Sequence, residues 1–253
     1  MKETSSERII TDDYFAIEFL PWDSDILGYK SGIVSFLPSL PQKGSTVILA
    51  LKKCLTQAKC DGYRFITAKV DADQFELTNT CIHNNGILVD TEVCFSKKPV
   101  KQIADDDKPC KKTKQYWDER FYGVAESLHR SRFYRDPEIG SENAVRLWKE
   151  SIRNHCLGRA SYSVIYFNSS APVGFINVIE QNNVSNIFII GVLPGFQGLG
   201  IGSRMMRFYE MKLSESIHEM TVDTQLTNIS ALKLYVNSGY RIKRSQHIIH
   251  FWL

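Results

Sequence analysis

Residues 161 to 206 confine this chain more tightly than any other stretch. Three β-rich runs, SYSVIYF, VGFINVIE and VSNIFIIGVL, are separated only by the short polar turns NSSAP and QNN. Runs joined this tightly pair antiparallel, because parallel neighbours need a crossover of a dozen or more residues. The third run passes directly into GVLPGFQGLGIGSRMM, where a glycine-rich turn gives way to helix-forming sequence. The expected core is therefore an antiparallel meander that feeds a bare backbone turn and then a helix.

Glycines at a helix N-terminus let backbone N–H groups approach a ligand, and the unpaired amides and helix dipole favour an anion, most simply phosphate. The plainer alternative is that they merely permit a sharp turn from strand to helix. A dinucleotide site would use Gly198, Gly200 and Ser203 as a degenerate G-x-G-x-x-G, with Asp223 about 20 residues on. Against it, Pro194 to Gln197 intervene between strand and glycines, hairpins precede the strand, and too few residues follow Asp223 to complete a doubly wound sheet. A P-loop needs Gly-Lys-Ser/Thr, and Gly202-Ser203-Arg204 does not supply it.

The first hundred residues alternate strand-like and helix-like patterns. YFAIEFL and SGIVSFL flank PWDSDILGY, which reads as a loop, and Val47, Leu51, Cys54, Leu55 and Ala58 recur at helical spacing up to Asp61-Gly62. YRFITAKV and ILVDTEVCF read as strands on either side of a short helix in DQFELTNTCIHNNG. Lys97 to Lys114, with two prolines and blocks of Lys and Asp, reads as a connector, which sets a domain boundary near residue 115. Two domains are expected, an N-terminal αβ domain over 1–115 and a second over 116–253. In the second, Ser141 is the expected N-cap of a helix whose face is Val145, Trp148 and Ile152 and which ends near Gly158. After the glycine turn come a helix to about Ser216, the strand MTVDTQL, a helix from about Asn228 to Ser238 and a last extended segment, YRIKRSQHIIHFWL.

Charge and cysteines narrow the class. A formal net charge of +3 with scattered basic residues gives no footprint for nucleic acid or an acidic membrane. Six cysteines without a C-x-x-C pair in a chain of 253 residues read as reduced buried thiols. MKETSSERIITDD lacks the apolar core of a signal peptide and no apolar run is long enough to span a membrane, so the expected location is cytoplasmic. His247 and His250, three apart on an extended segment, point to opposite faces and form no ligand pair, and no metal is expected.

Gln197, Gly200 and Gly202, following a strand, resemble the coenzyme A loop of the GCN5-related N-acetyltransferases (GNAT). NISALKLYVNSGY, with Asn228, Ala231, Leu234, Tyr235, Gly239 and Tyr240, resembles that family's second motif at the family's spacing. The resemblance covers roughly residues 120 to 253. It implies an α/β (α+β) GNAT fold, a mixed central sheet with flanking helices, and acetyl-CoA or another short acyl-CoA as cosubstrate. It also implies that the pyrophosphate rests on amides from Gln197 through Gly198, Gly200, Gly202 and Ser203, with Asn228 nearby. The pantetheine arm then pairs with the backbone of Ile190 to Val192, where a bulge splays two parallel strands. Val192 N–H supports the thioester oxyanion, and Tyr235 is the acid that protonates the leaving thiolate. Tyr235 has a plainer reading as a core aromatic, and Asn228 as a helix cap. The family's glutamate base on the strand before the loop has no counterpart in NIFIIGV, leaving Glu180 as a weak candidate.

LPWDSDILGY and HRSRFYRDPEIGSENAVRLWKESI are similar to segments of the dTDP-fucosamine acetyltransferase branch of that family. This narrower resemblance implies a nucleotide-linked amino-dideoxy sugar as acceptor, an N-terminal domain that contributes to acceptor binding, a role in surface polysaccharide biosynthesis and a homodimer. Trp22 and Tyr134 are candidates to stack on the base, and Arg132 or Arg135 to meet phosphate. Their plainer readings are a core plug for Trp22 and an Arg135–Asp136 ion pair. A protein N-terminus or a small polyamine is the alternative acceptor, and a non-catalytic coenzyme A-binding module the third reading.

Overall fold

The computed structural model describes residues 8–10, 14–37, 45–100 and 109–253. Most of the N-terminal stretch, and residues 101–108 of the expected connector, lie outside the described residues. Along the chain run β1 (Arg8–Ile10), β2 (Phe15–Phe19), α1 (Pro21–Leu27), β3 (Ser31–Phe36), α2 (Ser45–Cys60), β4 (Phe65–Asp71), α3 (Phe75–His83) and β5 (Ile87–Lys97). Then come β6 (Cys110–Thr113), α4 (Tyr122–Ser127), α5 (Arg132–Arg135), α6 (Ser141–Asn154), β7 (Tyr162–Asn168), β8 (Ala171–Gln181) and β9 (Val184–Val192). The last elements are α7 (Ile201–Met211), β10 (Glu219–Gln225), α8 (Ile229–Asn237) and β11 (Arg241–Trp252). They form two units: Met1–Glu92 with Arg135–Asn143 and Ser245–Leu253, and Val93–Tyr134 with Ala144–Arg244.

In the first unit β1, β2 and β3 pair antiparallel, β3 and β4 pair parallel, and β11 joins β4 antiparallel from Gln246↔Asp71 to Trp252↔Phe65. The five periodic residues of α2, from Val47 to Ala58, are all buried in a core with Phe15, Ile66 and Phe251, as their spacing predicts. PWDSDIL is a helix, not a loop. Pro21 at its first position needs no N–H partner, and Gly28 at φ 79° closes its C-terminus in the left-handed region.

The second unit carries the meander. β7 pairs β8 and β8 pairs β9, both antiparallel, while β10 lies parallel to β9. Asn182 and Asn183 take φ of 52° and 62°, the mirror-image turn that matches strand twist in a tight hairpin. One face packs Met205, Met206 and Tyr209 of α7 against Ile176, Ile187 and Val222. The other packs Phe121, Val124 and Ile152 against Ile165, Phe175 and Ile189.

Three boundaries differ from expectation. Cys110–Thr113, inside the expected connector, forms the edge strand β6 against β7; two exposed lysines at its centre conceal the pattern and protect the edge. On α6 the buried residues are Ala144, Leu147, Ser151 and Ile152, with Val145 and Trp148 half-buried, and Ser141 is the helix's first residue. α7 stops at Met211 rather than near Ser216. Among the described residues no helix is long and apolar enough to cross a membrane.

Candidate functional site

The site begins with a break in a strand ladder. β9 is paired to β8 as Asn177↔Ile189 and then Val178↔Ile187, so Phe188 is an extra residue, a β-bulge. The bulge reverses the alternation of side chains: Ile187 and Ile190 both belong to the α7 face, although they are three positions apart. The parallel ladder to β10 runs from Glu219↔Val184 to Val222↔Ile187 and ends there, at the bulge. Beyond it the two strands part.

The phase of the β8–β9 ladder shows what the parting frees. Leu193 N–H donates to Val173 O at 2.9 Å, and hydrogen-bonded pairs alternate along an antiparallel ladder. The Gly174↔Val192 and Ile176↔Ile190 pairs are then the non-hydrogen-bonded ones. Ile190 and Val192 therefore aim their N–H and C=O groups away from β8, toward the side that β10 has left. One of these groups is used internally, since Gln197 Nε2 donates to Val192 O at 3.0 Å.

The glycine turn continues from this edge. Gly198 and Gly200 hold φ of 77° and 74°, where an L side chain is strained. Arg204 is the first residue of α7 whose N–H reaches back to the turn, at Gly200 O and 3.1 Å. The N–H groups of Ile201, Gly202 and Ser203 thus lie ahead of the helical ladder, at its positive end. At the start of α8, Asn228 caps the helix by accepting from Ala231 N–H at 3.3 Å.

These pieces line one cavity of about 540 Å³ within the second unit. All eight residues expected at the cofactor, Ile190, Val192, Gln197, Gly198, Gly200, Gly202, Ser203 and Asn228, lie on its wall. The opposite wall comes from the end of α4 and the following loop, Val124 and Ser127 to Ser131. Arg130 reaches from that loop to Thr227 O at 3.4 Å. His129 and Arg130 stand in the same HRSR stretch as Arg132, but no local sequence signal marks them for this wall. Among the described residues no Asp or Glu lines the cavity.

Tyr235 lies beside this wall rather than on it. Its neighbours Ala231 and Leu234 line the cavity, while its own ring, 3% exposed, meets Phe95 at 5.7 Å and Tyr240 at 6.2 Å between centroids. Burial raises its pKa, and the Asp223 carboxylate raises it further, so the phenol stays protonated.

Trp22, Tyr134, Arg132 and Arg135 do not line the cavity. Trp22 is half-buried on α1, Tyr134 is half-buried on α5, and Arg132 packs over the ring of Phe133. Arg135 pairs with Asp90 at 3.6 Å, not with Asp136. Asp136 is taken by His250 Nδ1 at 2.6 Å and Trp252 Nε1 at 3.1 Å; burial pushes its carboxyl up, but the bond and charge of His250 bring it net below the ordinary value. Glu180 pairs with Ser185 at the hairpin end of β9, seven residues and roughly 20 Å from Val192, too far to serve this cavity. Among the described residues no three His, Cys, Asp or Glu side chains gather where they could hold a metal.

Residues 114–240, half of the chain, match the acetyltransferase (GNAT) family. The chain belongs to that family. GNAT proteins use acyl-CoA, and the break in the β9–β10 ladder with the glycine turn beside it is where the family resemblance puts that cosubstrate. The chain is 25% identical over 128 residues to the spore coat polysaccharide biosynthesis protein SpsD of Bacillus subtilis (strain 168), a match over 50% of this chain and 44% of that one. It thus spans less than half the length of that relative. Two solved GNAT structures have the same fold. One, from Kribbella flavida, gives a TM-score of 0.61 at 12% identity over 97% of this chain and 89% of its own. The other, from Sphaerobacter thermophilus, gives 0.60 at 10% identity over 94% and 76%.

Proposed function

We propose that this chain is an N-acyltransferase that moves a short acyl group from acyl-CoA to the amine of a nucleotide-linked amino-dideoxy sugar, in the assembly of a surface polysaccharide. The observation that carries the acyl-CoA part is the cavity itself. It joins a free strand edge at Ile190 and Val192 to a helix N-terminus ringed by Gln197, Gly198, Gly200, Gly202 and Ser203. An extended, amide-bearing arm fits the first and a pyrophosphate the second.

In this reading Val192 N–H meets the thioester oxygen as negative charge develops, and Tyr235 gives its proton to the departing sulfur. The sugar acceptor is supported by the likeness to SpsD, whose name assigns that protein to polysaccharide biosynthesis. It is supported also by His129 and Arg130, which bring donors and positive charge to a wall on which, among the described residues, no carboxylate stands. Trp22, Tyr134 and Arg135 stand apart from the cavity, and the proposal does not depend on them.

A protein N-terminus is the second reading, compatible with a cavity of about 540 Å³ on which no described Asp or Glu stands. A polyamine fits less well, because a polycation needs acidic walls. The test is release of free thiol from acetyl-CoA across dTDP- and UDP-linked sugars with the amine at C3 or C4. Turnover of one of them is expected. Silence across the whole panel, with acetyl-CoA still bound, refutes the sugar reading and leaves the family assignment standing.

A further inference from the structure

The acceptor amine must lose a proton before or as it attacks, and β9, where the family resemblance puts a glutamate base, carries no carboxylate from Val184 to Val192. The register supplies one from the neighbouring strand. Asp223 follows Val222, the last β10 residue paired to β9, so it stands where the strands separate, across from the Phe188 bulge. Met220 and Val222 belong to the core on the α7 face, so Asp223 and Thr221 project from the opposite face. Thr221 there accepts from Asn186 Nδ2 at 2.9 Å, while Asp223 is exposed.

Resting on the acyltransferase reading above, we propose that Asp223 is the catalytic base that takes the proton from the acceptor's ammonium group. The neutral nitrogen then bonds to the thioester carbonyl carbon, the carbon–sulfur bond breaks, and the sulfur leaves with the Tyr235 proton. The second nitrogen proton, shed as the amide forms, returns to Tyr235, and Asp223 releases the first to solvent. The balance is ammonium plus thioester giving amide, thiol and one proton.

The surroundings suit this role. Two groups feel the Asp223 charge: Cys94 on β5, whose thiol is pushed up to about 12 by burial first and then by Asp223, against Arg244 and Lys243 on β11, and Tyr235 on α8, raised by burial first and then by Asp223. Lys243 is occupied by Glu219 at 2.7 Å. The buried His155 ring stacks on Phe188 at 3.7 Å, setting the bulge's side chain across the gap from Asp223. Gln225, two residues on and on the same strand face as Asp223, lines the cavity, so the carboxylate stands next to its wall, while Tyr235 packs in the core on the α7 face. The other candidate carboxylates are engaged elsewhere: Glu210 with Lys97 and Glu219 with Lys243.

The experiment compares wild type, Asp223→Asn and Asp223→Glu with acetyl-CoA and a dTDP-linked 4-amino-4,6-dideoxyhexose, recording kcat/KM from pH 6 to 10. Acetyl-CoA affinity and Tm serve as controls on folding. Asp223→Asn is expected to lower kcat/KM at pH 7 by about 100-fold. Its residual rate is expected to rise about tenfold per pH unit as the free amine accumulates, and Asp223→Glu to recover most of the loss. An Asp223→Asn enzyme with the wild-type rate, or one slowed equally at every pH, overturns the assignment. A wild type that binds acetyl-CoA but acylates neither this sugar, its 3-amino isomer nor spermidine sinks the acceptor reading, and the role of Asp223 with it.

Discussion

Gln197 Nε2 donates to the Val192 carbonyl oxygen at 3.0 Å, tying the glycine turn to the end of the strand that precedes it. The bond satisfies the one Val192 group that faces the gap and is not offered to a ligand. Gln197→Ala should let the turn drift from the strand edge, weakening acetyl-CoA binding by roughly five- to tenfold, the worth of one hydrogen bond of about 1 kcal/mol. Isothermal titration measures it. An unchanged affinity would mean that the turn holds its shape without the tie.

Gly191 has no room for a side chain. A Cβ there would lie 2.5 Å from Val124 Cγ1 and 3.2 Å from Phe175 Cε1. Gly191→Ala should therefore destabilise the second unit by about 1–3 kcal/mol through overpacking, seen as a lowered Tm. Adding Val124→Ala should return part of that loss, whereas two independent, additive losses would place the strain elsewhere.

Removing the Tyr235 hydroxyl leaves its ring packed against Phe95 and Tyr240. Tyr235→Phe is predicted to lower kcat by about 100-fold with acetyl-CoA affinity unchanged, the pattern of an interaction made only in the transition state. Equal loss of affinity and rate would reassign the residue to packing.

His155 is buried with Nδ1 at 2.7 Å from Ser151 O, and burial lowers its pKa from the ordinary 6.5 to about 4. The folded state resists a proton that the unfolded state accepts. The stability this group leaves intact above pH 6.5 is lost as the pH falls from 6.5 toward 4, by on the order of 3 kcal/mol. His155→Phe keeps a ring against Phe188 and cannot protonate. Urea titrations at pH 7 and pH 4.5 should show a smaller acid loss in the variant than in wild type, and equal losses would contradict the prediction.

Local pattern carried far in this chain. The α2 face from Val47 to Ala58 and the meander with its Asn-Asn turn were legible because each depends on neighbours within a few residues. α1 was missed although Pro21 and Gly28 marked both its ends, because a seven-residue helix has too few turns to show a period. The buried stripe of α6 is rotated from Val145 to Ala144, a choice made by what packs against the helix and not by its own sequence. Asp223 could not be recognised at a ladder's end, because that depends on a bulge at Phe188, a strand away and 35 residues earlier in the chain. His129 and Arg130 needed the fold to bring their loop over the glycine turn.

The strand edge at Ile190 and Val192 has a consequence for how this protein tolerates change. The groups it offers are main-chain atoms, present whichever amino acid is encoded, so exchange among apolar residues at these two positions leaves the edge's hydrogen-bonding pattern intact. Two kinds of mutation reach it: proline, which deletes an N–H outright, and loss of one residue near Phe188, which would let β10 zip onto the freed edge. The proposed acyl-donor half of the site is then buffered against mutational drift, and the proposed acceptor half, written in side chains such as Arg130 and Asp223, is free to diverge.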